Sequence, residues 1–278
     1  MTIDRGEQDE LVNAEAFLPS NQQLVACVPG IVSRVNKLIS VIPLKQVYIG
    51  EVGDLIIGRI TEVASKKWKV EIGGSREAAL MLSSVNLPGG VQRIRTYEDQ
   101  LQMRSLYVEG DLVSGEVQTL MGDGTASIHA RSLRYGKLEN GVLCIVPSGL
   151  VKRMKHHFVT LPSCGVDVLL GCNGYIWIAR TVPKEWQKED EEAGLPLAET
   201  LQKVRARHSA TVVSDEERAS ILRIRNAIEI LKVCYRYINA ETIMEVFNKS
   251  LALGLGLNEM LRGEAVVACS EGTRVEKK

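Results

Sequence analysis

Ser65-Lys66-Lys67-Trp68-Lys69-Val70-Glu71-Ile72 carries the clearest strand signal in the chain. From Trp68 onward, apolar residues alternate strictly with charged ones, the period of a strand with one buried and one wet face. Similar short runs occupy Asp54–Val63, Ala78–Leu82, Asp111–Leu120 and Thr125–Ala130. Gly122-Asp123-Gly124 between the last two is a hairpin signal. Five short strands with one long connection, Ser83 to Leu106, match the strand count of an OB-fold barrel.

Upstream, Leu24–Tyr48 holds short apolar runs broken by Pro29-Gly30 and Pro43, which predicts a hairpin or small sheet that must pack on a neighbour. Residues 1–23 read as a poorly ordered lead-in. Downstream, Val142–Val146, Val166–Leu170 and Tyr175–Ile178 read as further strands. Residues 184–200 read as a charged surface linker, and the tail from Glu271 as frayed. Ser214 and Glu217 form a capping box that starts a helix carrying Ile221, Ile224, Ile228 and Leu231 inward. A second helix takes Ile243, Val246, Phe247 and Leu251, ending near Gly254. The expected fold class is therefore multi-domain β and α+β. An N-terminal β module occupies residues 1–49, an OB-fold barrel residues 50–138 and a C-terminal α+β domain residues 139–278.

Composition narrows the function. The 278 residues carry 34 basic and 34 acidic side chains, 45% apolar and 24% charged residues. That is ample apolar material for cores, and no apolar run approaches the roughly 20 residues a bilayer span needs. Zero net charge argues against binding nucleic acid by bulk electrostatics. Charge is nonetheless local: Arg131 to His157 holds Arg131, Arg134, Lys137, Lys152, Arg153 and Lys155 against one acid, Glu139. Six scattered cysteines, with no C-x-x-C pair and no apolar leader, point to free thiols in a reducing compartment.

No phosphate-cradling Gly-Lys-Ser/Thr loop, H-E-x-x-H or G-x-S-x-G occurs, and Asp190-Glu191-Glu192 falls in the linker, not on a fixed element. His156 and His157 lie among cations with no local carboxylate to orient them, which suits a solvated or RNA-facing segment. No catalytic group, metal or cofactor is expected. RNA contacts are the better-supported chemistry. Lys66 and Lys67 lie at a barrel turn where OB-folds meet single strands. Trp68 there can stack on a base, although its parity with Val70 and Ile72 also assigns it to the core. Arg131, Arg134 and Lys137 leave the last strand along the barrel's edge, and Lys152, Arg153 and Lys155 add a second basic run. Gly171-Cys172-Asn173-Gly174 has the G-x-x-G spacing of a KH clamp. Its flanks read as strands, whereas a working clamp lies between helices, so a structural turn is the stronger reading.

In order along the chain, several runs resemble one family. They are Gly30-Ile31-Val32-Ser33-Arg34-Val35-Asn36-Lys37-Leu38, Gly50-Glu51-Val52-Gly53-Asp54 and Leu80-Met81-Leu82-Ser83-Ser84-Val85-Asn86-Leu87-Pro88-Gly89-Gly90. Ala130-Arg131-Ser132-Leu133-Arg134-Tyr135-Gly136-Lys137-Leu138 and Leu170-Gly171-Cys172-Asn173-Gly174-Tyr175-Ile176-Trp177 are the densest. They resemble the RNA exosome cap subunits called ribosomal RNA-processing protein 4. The resemblance implies an N-terminal β module docking on the exosome ring, an OB barrel of the ribosomal-protein-S-one type and a KH-like domain. It implies a non-catalytic subunit that braces the ring and guides single-stranded RNA into its channel. Its partners would be the other ring and cap subunits and, indirectly, the associated nucleases. Nucleus, nucleolus and cytoplasm would be its compartments, with no membrane. The family's G-x-N-G motif falls on Gly171, Asn173 and Gly174, and in this family it is tied into the contact between KH and barrel. The family's Pro-Gly-Asp and Gly-His-Gly-Thr segments have no match in residues 1–29. Two other readings are a stand-alone OB-fold RNA chaperone or translation-associated factor, and a phosphorolytic nuclease. The nuclease reading needs a large catalytic domain for which these residues leave no room.

Overall fold

The computed structural model describes residues 2–4, 16–17, 23–26, 30–35, 38–43, 47–86, 95–183, 186 and 197–270. The linker residues 184–185 and 187–196, the Pro88-Gly89-Gly90 run and the tail from Glu271 lie outside these. The chain forms two compact units, Met1–Gln46 and Val47–Lys278. The boundary falls slightly ahead of the expected one, because Tyr48 buries its ring in the second unit.

In the first unit, β1 (Thr2–Asp4), β2 (Ala16–Phe17) and β3 (Gln23–Ala26) form a three-stranded sheet in the order β1-β3-β2. Part of the expected lead-in is thus paired strand: Thr2 to Asp4 lie antiparallel to Val25 to Gln23. β4 (Gly30–Val35) and β5 (Leu38–Pro43) make the expected hairpin, with Gly30 opposite Pro43.

The second unit begins with the barrel. Its strands are β6 (Leu55–Val63), β7 (Lys67–Glu71), β8 (Ala78–Val85), β9 (Leu112–Leu120) and β10 (Ala126–Ala130). They run β10-β8-β7-β6-β9 and close through a β10–β9 pairing, which removes both open edges. A short β11 (Gly136–Leu138) adds to β9. The alternation read from the sequence is the burial pattern: Trp68 and Val70 are fully buried, Lys67 exposed and Lys69 partly so. The long connection is not bare loop. It contains α1 (Tyr97–Leu101) and α2 (Met103–Leu106), and Met103 packs into the barrel core.

The KH-like module is a fully antiparallel sheet of β12 (Gly141–Ile145), β13 (Phe158–Leu161), β14 (Val166–Leu170) and β15 (Tyr175–Arg180), ordered β12-β15-β14-β13. Helices α3 (Leu197–Ala210), α4 (Asp215–Val233), α5 (Ala240–Ala252) and α6 (Gly263–Ser270) follow. All six residues of β15 are buried, because both faces of this strand are covered. Ile176 and Ile178 face a core shared with α4 and α5, whereas Tyr175, Trp177 and Ala179 face Leu55 and Ile57 of the barrel.

The capping box is present: Glu217 N–H donates to Ser214 Oγ (3.3 Å), and Ser214 N–H to the Glu217 carboxylate (2.9 Å). Ile221, Ile224, Ile228 and Leu231 are all buried. Leu251, expected inside, is half exposed near the end of α5. The expected linker also ends early, since Leu197 to Thr200 open α3. No helix among the described residues is long and apolar enough to cross a membrane.

Candidate nucleic-acid interface

Lys66 and Lys67 sit where β6 turns into β7. Backbone bonds pin this turn: Ala64 N–H donates to Lys67 O (2.9 Å), and Leu82 N–H to Lys66 O (3.0 Å). Both side chains are exposed and make no ion pair among the described residues. Two cations are therefore held on a fixed backbone and open to a polyanion. Trp68 is not part of this surface. Its indole N–H donates to Tyr107 O (3.2 Å), and its ring meets that of Tyr107 edge-to-face at 5.2 Å. A buried indole needs such an acceptor, and a ring at 0% exposure cannot stack on a base.

Arg131 and Arg134 leave the barrel on the exposed chain after β10 and have no ion pair among the described residues. The Asn86 side-chain amide donates to Arg131 O and fixes the start of this segment. Lys137, expected to bind RNA, is instead committed to carboxylates, Glu139 at 2.9 Å and Asp111 at 3.3 Å. Of the second run, Lys152 and Lys155 are exposed. Arg153 is engaged elsewhere.

That elsewhere is the seam between barrel and KH-like sheet. Arg153 forks onto Asp54 (2.8 and 3.1 Å) and reaches Glu51 at 2.9 Å. Asp54 is 5% exposed and also accepts from Tyr48 Oη (2.8 Å) and Glu51 N–H (3.0 Å). Burial pushes its carboxyl up, but the guanidinium, the amide and the phenol together hold it below the usual carboxylate range. In the sequence, Asp54 is legible as a charge ahead of the apolar run Leu55-Ile56-Ile57 and as the end of the Gly50–Asp54 run, with nothing that names Arg153 as its partner.

Gly171, Asn173 and Gly174 lie beside this clamp, in the turn between β14 and β15. The Asn173 amide donates to Ile57 O (2.7 Å) and Ile72 O (2.8 Å), and its oxygen accepts from Ile57 N–H (3.3 Å). Cys172 N–H donates to Leu55 O (2.8 Å). Gly174 has φ +83°, and a Cβ there would stand 2.1 Å from Val146 O, so only glycine fits. The turn faces the barrel, not solvent. His157 belongs to the same region. Met154 N–H donates to its Nε2 (3.2 Å), which leaves Nδ1–H to donate to Leu170 O (2.8 Å). It orients the backbone, while His156 is exposed.

Three further groups at this face carry no signal in the sequence. Phe158 opens β13 with 40% of its surface exposed. Arg180 ends β15 nearly buried, and Arg205 on α3 donates to Leu133 O (2.6 Å).

Fold and site together define a class: an S1-type OB barrel locked through a G-x-N-G turn onto a KH domain. Residues 47–119 match the family described as RRP4, S1 domain, and residues 141–184 match the KH domain family. Exosome complex component RRP4 of Saccharomyces cerevisiae is 43% identical over 245 residues, covering 81% of this chain and 68% of its own. The homolog from Arabidopsis thaliana is 41% identical over 282 residues (98% and 85%), and that of Mus musculus 46% over 231 (83% and 74%). The chain belongs to the exosome complex component RRP4 family.

Proposed function

We propose that this protein is a non-catalytic cap subunit of the RNA exosome that braces the ring and guides single-stranded RNA toward associated nucleases. The relatives named as exosome components support the assembly. The observation that carries RNA guidance is the barrel turn, where Lys66 and Lys67 project from a pinned backbone, with Arg131 and Arg134 open on the barrel's exit. Lysine and arginine heads of this kind contact phosphates and carry little base information. The Lys152–Lys155 run is the weaker surface, because Asp54 holds its arginine.

Residues 1–46 supply the docking module, and the KH-like domain supports the barrel through the G-x-N-G turn. The protein acts in the nucleus and nucleolus and in the cytoplasm, wherever the particle does. The test is native mass spectrometry of the tagged chain from its own cells, with a labelled RNA incubated with the purified subunit. A discrete multi-subunit particle and an intact RNA are expected. A ribosome-bound or monomeric species would favour a stand-alone RNA chaperone or translation-associated factor. RNA shortening that tracks with a point variant of this chain would overturn the non-catalytic role.

A further inference from the structure

The barrel-side face of the KH-like sheet is not covered along its whole width. Toward β13 it opens into a groove of about 460 Å³, bounded by the sheet, the chain leaving the barrel, and α3. Leu169 and Trp177 make an apolar floor, Phe158 stands at the edge, and Arg134, Arg180 and Arg205 converge from three elements. The Phe158 ring stacks on Tyr135, centroids 6.2 Å apart and planes 20° from parallel. Its exposed surface offers that stack a further layer.

Two side chains that line the groove each hold a buried nitrogen without a hydrogen-bond partner among the described residues. Arg180 is 9% exposed, and although its head lies 3.6 Å from Glu217, its Nε has no hydrogen-bond partner among the described residues. The same holds for Nε2 of His208, whose pKa burial lowers. Two acids also border the groove, but both are engaged: Glu139 with Lys137 (2.9 Å), and Asp167 with the Thr181 hydroxyl (3.0 Å). The Arg134 guanidinium carries no such commitment among the described residues.

We infer that this groove is a second RNA subsite, holding one unpaired nucleotide with its base on Phe158 and its phosphate on Arg134. The inference rests on the RNA-guiding reading and extends it past the barrel turn. An aromatic ring open for stacking, beside an uncommitted cation on the segment that already leaves the barrel, suits a flat base and its phosphate better than a peptide. Stacking on a phenyl ring tolerates any base.

The assembled particle containing the full chain is irradiated with single-stranded RNA carrying 4-thiouridine, and adducts are mapped to peptides. An adduct on the peptide bearing Phe158 is expected. Phe158→Ala should remove it and weaken RNA retention by roughly tenfold, the order of one base–aromatic stack. Phe158→Tyr should restore both. Arg134→Glu, on an exposed side chain, serves as the second variant and should also remove the adduct. Adducts confined to the Lys66–Lys67 and Arg131 peptides, unchanged in Phe158→Ala, would overturn the subsite and leave the barrel reading standing. A protein–protein crosslink from a neighbouring subunit into the groove would overturn it in favour of a peptide seat. No RNA adduct anywhere on the chain would sink both readings.

Discussion

Arg153 and Asp54, 99 residues apart in sequence, meet as fork and carboxylate across the seam of the second unit. Asp54 is buried while the Arg153 side chain remains half exposed. The pair therefore acts less as a source of net energy than as the neutraliser of a charge that cannot reach water.

Removing the guanidinium strands that charge. Arg153→Ala should lower stability by about 2–3 kcal/mol, read from urea unfolding. Arg153→Lys should recover only part of it, since an ammonium cannot fork. The pH sign follows from the depressed carboxyl. Its contribution is present above the unfolded value of about 3.9 and is lost as pH falls through the lower folded value. Asp54→Asn should flatten that acid limb.

The Asn173 amide should be more sensitive to charge than to size. Asn173→Ala leaves buried backbone groups of Ile57 and Ile72 without partners, a loss of about 3 kcal/mol. Asn173→Asp places a carboxylate against two carbonyl oxygens and should be worse still, with both ranked by thermal melts. If Asn173 instead touched RNA, either variant would weaken RNA binding with the melt unchanged.

At the barrel turn, Lys66→Glu with Lys67→Glu should weaken RNA retention similarly for all sequences and leave assembly intact. Every phosphate that the variant no longer neutralises lowers the magnitude of the negative slope of log affinity against log salt by about 0.7 for a single strand. A salt series on the particle, wild type against double variant, reads this directly. An unchanged slope would show that the turn faces solvent.

The cysteines should label in two classes. Burial, reinforced by Glu229, pushes the Cys144 thiol up to about 12, and burial beside Asp54 pushes Cys172 up to about 11. At pH 8 in native buffer, iodoacetamide should modify the half-buried Cys164 and Cys234 before the other three cysteines among the described residues. Rapid alkylation of Cys144, read by mass spectrometry, would contradict the packing described.

Deleting residues 1–46 should remove the protein from the particle and leave the barrel folded. The cut is placed there because Tyr48 must stay to bond Asp54. Stoichiometric co-purification of the truncated chain would move the docking surface to the KH-like module.

Legible in the residues alone was whatever alternates or caps. Trp68-Lys69-Val70 carries its own burial pattern, and Ser214 with Glu217 satisfies orphan amides through local bonds alone. α3 escaped because its visible surface is mostly charged, with Val204 and Thr200 among its few buried residues, so it lacks a helical apolar stripe. β13 escaped because an edge strand beginning at Phe158 is half exposed and follows a basic run. The site was harder. Whether a lysine or arginine is free depends on acids distant in sequence, and nothing near Arg153 announces Asp54.

One consequence of the G-x-N-G turn is mechanical. With Asn173 bonded to Ile57 on β6 and to Ile72 just past β7, and Cys172 N–H bonded to Leu55 O, the barrel and the KH-like sheet cannot swing independently. The span from the Lys66–Lys67 turn to the Phe158 groove is then a fixed gauge. A strand too short to bridge it grips one end only, so retention should climb in a step with RNA length instead of rising smoothly.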